Sequence, residues 1–69
     1  MGHKFHVGDA VRFWLVNRNV IGRIIEDRGP LGSRGQHIYG IVVNLGTVEP
    51  TYFELGEDMI ELSSKKMAA

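Results

Sequence analysis

Cysteine is missing from all 69 residues of the chain. That excludes disulfide staples and cysteine-built metal sites, and it fits a reducing cytoplasm. There is also no net charge, because Lys plus Arg and Asp plus Glu both number 8. A dedicated nucleic-acid binder draws most of its affinity from phosphate neutralisation, so a neutral domain is a poor one. No apolar run approaches the roughly 18 residues a membrane helix needs, and no secretory h-region is visible. The cytoplasm is therefore the expected compartment, and no membrane is expected as a partner. Apolar periodicity at i, i+3, i+4, i+7 is never sustained over three turns, so no substantial helix is expected.

What is present is a β-rich pattern punctuated by nine glycines. A chain this short is one domain that buries roughly 60% of its unfolded surface, with a small core. Val7-Gly8-Asp9 is a turn signal, and Ala10 to Val16 is rich in β-formers. Alternation puts Val11, Phe13 and Leu15 on one face and Arg12, Trp14 and Val16 on the other. The wholly apolar face is the core face, so Trp14 is expected outside or at a rim. Asn17-Arg18-Asn19 reads as a tight connection in which asparagine takes positive φ. Further strands are expected from Val20 to Glu26 or Asp27, from His37 to Asn44, from Thr51 to Leu55 and from Met59 to Leu62. A single 3₁₀ turn is expected at Gly56-Glu57-Asp58. Gly22 and Gly40 fall mid-strand, where glycine marks a bend or a close backbone approach. The expected core is Val11, Phe13, Ile24, Ile41, Val43, Phe53, Leu55 and Ile60.

Between the second and third strands runs Ile25-Glu26-Asp27-Arg28-Gly29-Pro30-Leu31-Gly32-Ser33-Arg34-Gly35. Proline at position i+1 with Leu31 at i+2 predicts a type I turn closing on Gly32, and Gly35 frees the re-entry into the third strand. Asp27 and Arg28 at the loop base either cap backbone N–H groups or pair with each other. Glycine, proline and two arginines coincide here, which makes Arg28, Leu31 and Arg34 a candidate recognition rim. Trp14 and Tyr52, with Val16 and Tyr39, supply the aromatic and apolar side chains that binding hot spots favour.

Five short strands, one longer loop after the second and a one-turn element before the fifth resemble the order of SH3-like barrels. The domain is expected over residues 5–63, with a flexible tail over 64–69. Val7-Gly8-Asp9-Ala10-Val11-Arg12 resembles the Gly-Asp-x-Val opening of bacterial modules such as KOW-type translation domains and the type II dihydrofolate reductases. Gly22-x-Ile24-x-Glu26-Asp27-Arg28-Gly29-Pro30-Leu31-Gly32 with Phe53-Glu54-Leu55 resembles small bacterial SH3-like proteins of unknown function. The reductases line their pore with Val-Gln-Ile-Tyr, where this chain reads Thr51-Tyr52-Phe53-Glu54. An acid there opposes anionic substrate and cofactor, so that activity is not carried over.

Catalysis is not expected. Ser33 and His37 could meet across the loop, but no third orienting group is evident. His3-x-x-His6 supplies two metal ligands where a zinc site needs three or four, in a start expected to be mobile. No metal or cofactor is expected. The sequence thus implies a non-catalytic binding or assembly module that meets a protein partner or a second copy of itself. The alternative is KOW-like nucleic-acid binding through Arg12, Arg18, Arg23, Arg28 and Arg34 with Trp14 or Tyr52 stacking a base. Residues 1–40 hold six basic and three acidic side chains, against two and five in residues 41–69. Folding could pair these halves or leave a basic face.

Overall fold

The computed structural model describes residues 5–46 and 48–63. The expected tail over 64–69 and the expected loose start over 1–4 lie outside them. Five strands follow one another: β1 (Ala10–Leu15), β2 (Arg18–Gly29), β3 (Ile38–Val43), β4 (Thr51–Gly56) and β5 (Glu61–Leu62). Short 3₁₀ turns at Ser33–Gly35 and Glu57–Met59 precede β3 and β5. All pairings are antiparallel, in the order β4-β3-β2-β1-β5. The protein is thus all-β, with an open sheet whose edges are β4 and β5. Among the described residues the ladder stays open, so the all-β class is shown and closure into the expected barrel is not. At two residues, β5 is too short to join the edges along their length.

β2 is longer than its apolar run suggests, because two irregularities let it bend without stopping. Against β3 the register shifts between Ile24 and Glu26 and again between Asp27 and Gly29. Each shift leaves one β2 residue, Ile25 or Arg28, without an opposite number. Such bulges sharpen the local twist and re-aim the side chains that follow. The polar residues Glu26 to Arg28, expected as the loop's beginning, are therefore the end of a coiled strand.

The connection between β1 and β2 also differs from expectation. Leu15 lies opposite Arg18, so the two-residue turn is Val16-Asn17 and not Asn17 to Asn19. Val16 takes the positive φ, at 61°. The register is set by the core face, where Phe13 opposes Val20 and Val11 opposes Gly22. A one-residue slip would turn every core residue outward, so the turn falls on a valine that is poorly suited to it.

The core gathers Val11, Phe13, Val20, Ile24, Tyr39, Ile41, Val43 and Ile60 with Phe5, all buried. Phe53 and Leu55 of β4 are half-buried against it. Tyr39, expected beside the exposed Trp14, is instead fully buried. It opposes Asp27 on the core-facing side, and its ring meets that of Phe5 edge-on at 5.5 Å. Its hydroxyl oxygen accepts the Phe5 backbone N–H at 3.3 Å, which satisfies the polar tip. The segment around His6 is anchored as well. The His6 backbone N–H donates to the Asp9 carboxylate at 2.9 Å, and the Asp9 N–H returns to the His6 carbonyl at 3.0 Å.

Candidate functional site

The loop after β2 is held by its own residues. Asp27 accepts the Gly29 N–H at 3.0 Å and also engages the His37 ring, while His37 lies against Tyr39 with ring centroids 4.8 Å apart. Of the two roles expected for Asp27, the cap of a backbone N–H is formed. The Leu31 N–H closes on the Gly29 carbonyl at 2.9 Å, so Pro30 centres a three-residue γ-turn and not a type I turn. Gly29 takes φ 79 to make this possible. A second turn follows, with Gly35 N–H to the Gly32 carbonyl and Arg34 in the left-handed region at φ 59.

Arg28, as the bulged residue, points to the outer face of the sheet. There Glu26, Gly40 and Glu54 lie side by side on β2, β3 and β4. Arg28 bridges the two carboxylates, at 3.3 Å to Glu54 and 3.4 Å to Glu26. Tyr52 lies across Gly40, so closely that a Cβ there would fall 2.5 Å from the phenol oxygen. The hydroxyl is 3.2 Å from Glu54 and 3.3 Å from Glu26, and its one proton serves one of them at a time. Glu54, then Glu26, raise the Arg28 pKa above its ordinary value. Desolvation, aided by the bond to Glu54, raises that of Tyr52. Arg28 and Tyr52 thus meet, but as parts of one internally paired cluster in which one guanidinium serves two carboxylates. Leu31 and Arg34 stand exposed on the loop outside it.

Trp14 belongs to a different place. On the outer face it opposes Asn19 at the hairpin end of β1, and it is 66% exposed. It lines a groove of about 370 Å³ with Arg12, Asn19, Asp58, Met59 and Glu61, over Phe13 and Ile60. Met59, 60% exposed, forms the wall contributed by the 3₁₀ turn. Arg12 and Glu61, opposed on β1 and β5, form an ion pair at one end. Asp58 has no ion pair among the described residues, so the groove carries an excess of one negative charge. Of the five residues singled out in the sequence, the structure joins Arg28 to Tyr52 and sets Trp14 in this groove. It does not bring the Arg28, Leu31 and Arg34 rim to Trp14.

Sequence reasoning missed Met59 and Asp58, because neither the strand expected from Met59 nor the 3₁₀ turn expected at Gly56-Glu57-Asp58 sets them beside Trp14. The missed signal lay in Gly56-Glu57-Asp58-Met59-Ile60. A 3₁₀ turn running one residue later puts Ile60 in the core and leaves Met59 outside. Comparison with protein-family models, curated proteins and solved structures finds no match.

Proposed function

We propose that the chain is a non-catalytic protein-binding or assembly module of SH3-like barrel type that works through the Trp14 groove. The observation that carries this is one exposed tryptophan facing one exposed methionine across a concave, ion-pair-flanked groove. A large apolar side chain in such a place gains more from a partner than from water, and tryptophan is the residue most enriched among binding hot spots. His37, held by Asp27 and lying on Tyr39, is read as part of the loop's frame and not as a base for Ser33. The test is capture of partners from the native host with wild-type, Trp14→Ala and Arg34→Ala proteins, each verified by its melting curve. Loss of the captured protein with Trp14→Ala and retention with Arg34→Ala is the expected result. The converse pattern would move the site to the loop.

The nucleic-acid alternative keeps one supporting observation. Arg18, Arg23 and Arg34 have no ion pair among the described residues, and Arg23 shares an outer-face row with Val42 and Tyr52. Arg12 and Arg28, by contrast, already have carboxylate partners. Anisotropy with mixed RNA and DNA oligonucleotides at low salt decides it, because salt-dependent binding lost on Arg23→Ala would favour that alternative.

A further inference from the structure

The groove exists because β5 begins late, only at Glu61. The Ser63 N–H donates to the Ala10 carbonyl at 2.9 Å, and Arg12 lies opposite Glu61 in the same register. In an antiparallel pair, residues that exchange bonds alternate with residues that do not. Ala10 and Arg12 therefore turn their backbone polar groups toward β5, and Trp14 is the next residue of β1 to do so. The other edge agrees, since Leu15, Phe13 and Val11 point toward β2 in the register set by the two-residue turn. Opposite Trp14, however, the chain has not yet entered the sheet and is still in the 3₁₀ turn at Glu57–Met59. The Trp14 N–H and C=O thus face the groove with no strand residue across from them among the described residues.

Resting on the binding-module reading above, we propose that the groove takes a short extended peptide segment as an added strand beside Trp14. Its backbone pairs with the Trp14 N–H and C=O. One bulky apolar side chain lies between the Trp14 indole and the Met59 side chain, and a neighbouring lysine or arginine meets Asp58. Three features independently call for this occupant. The open edge wants a backbone with both donor and acceptor, as in strand addition generally. The apolar pair wants a hydrocarbon side chain. Asp58, with no ion pair among the described residues, wants a cation, while the Arg12–Glu61 pair beside it is already neutral. The volume is at the low end of ligand pockets, roughly 300–1,000 Å³, so only a few residues enter.

The test is a ¹H–¹⁵N and methyl NMR titration of the full chain with blocked pentapeptides, acetyl-Thr-Val-Leu-Lys-Val-amide first. Saturable shifts are expected at the Trp14 backbone N–H, the Trp14 indole N–H and the Met59 methyl, up to about 2 mM peptide, where weak complexes still register. Changing the lysine to glutamate is expected to weaken binding about fivefold or more, because an attraction to Asp58 becomes a repulsion. N-methylating the leucine and its two neighbours removes the pairing donors and is expected to abolish the shifts. Asp58→Asn should erase the preference for lysine without changing the fold.

Equal binding by the N-methylated peptide overturns strand addition, and equal binding by the glutamate peptide overturns the cationic partner. No shift at Trp14 or Met59, or shifts that follow protein concentration without peptide, overturns the proposal entirely. The last result would make a second copy the occupant. Partner capture that depends on Trp14 can survive any of these failures, so the binding-module reading is judged separately.

Discussion

Replacing Gly22 with alanine puts the sharpest question to this fold. Gly22 lies on the core side of β2 opposite Val11, and a Cβ there would come within 2.6 Å of Ile41 Cγ2, 2.8 Å of Val43 Cγ2 and 2.8 Å of the Val42 carbonyl oxygen. One of these neighbours is backbone in the central strand pair, and the other two are β-branched methyls in a close-packed interior, so none yields easily. Overpacking of this kind costs about 1–3 kcal/mol. Gly22 does not have positive φ, so no dihedral penalty is added, and the stiffer unfolded chain returns about 0.4–1 kcal/mol. A net loss of about 1.3 kcal/mol is expected. A domain of this length holds roughly 3–10 kcal/mol in total, and the melting temperature should fall by about 5–10 °C. The control is Gly40→Ala, where the three atoms nearest the new methyl all belong to the far end of the Tyr52 side chain. That ring sits on the exposed face and can swing away, so the cost should stay within about 0.5 kcal/mol. Urea unfolding followed by circular dichroism measures both, with unchanged m-values as the check on two-state behaviour. Equal losses for the two variants would refute the close approach of β2 and β3 over Gly22.

Val16→Gly should stabilise the protein, because a β-branched residue at φ 61 costs about 1–2 kcal/mol and glycine's extra freedom takes back about 0.5–1; a higher melting temperature is the readout, and a lower one would refute the strain. The Arg12–Glu61 pair is half-exposed on both sides, so a double-mutant cycle with Arg12→Ala and Glu61→Ala should give a coupling below about 1 kcal/mol that shrinks in salt. Tyr39 and Tyr52 both have raised pKa values, first through desolvation, so their neutral forms are favoured in the folded state. Their stabilising effect is complete below the unfolded tyrosine pKa of about 10 and declines as pH rises through the folded values. Tyrosinate absorbance at alkaline pH should therefore appear later in the native protein than in urea, and coincident curves would contradict the burial of Tyr39.

Much of the fold is legible in the sequence because one face of each strand is apolar. Val11 and Phe13, Ile24, and Ile41 and Val43 alternate so cleanly that only one register buries them all. The bulges left no such mark. Ile25 and Arg28 become extra residues through the register β2 takes against β3, and neither propensity nor alternation records that pairing. Tyr39 was misplaced for a related reason. A tyrosine looks amphipathic in sequence, and it is the distant Phe5 N–H that makes its hydroxyl acceptable inside. The positive φ of Val16 follows the same logic, since burial of the facing core rows outweighs the local preference of the turn.

The candidate site moved from the loop to the groove for a physical reason. Arg28, Asp27 and Tyr52 are residue types that recognise partners when their charges and donors are free. Here the bulge turns Arg28 onto Glu54 and Glu26, and the loop base draws Asp27 to the Gly29 N–H and the His37 ring. For Arg28 to meet an external anion, it would have to give up two carboxylates, leaving Glu26 and Glu54 to repel each other across Gly40. The loop's glycines and proline therefore build a rigid connector between two bent strands, and its polar side chains hold that shape. At the other end of the sheet, the opposite condition holds. The Glu57–Met59 turn delivers Ile60 to the core before β5 begins, so the last β1–β5 pair is Arg12 with Glu61 and Trp14 stands exposed beyond it. An exposed tryptophan has more to gain from a partner than arginines already held by carboxylates.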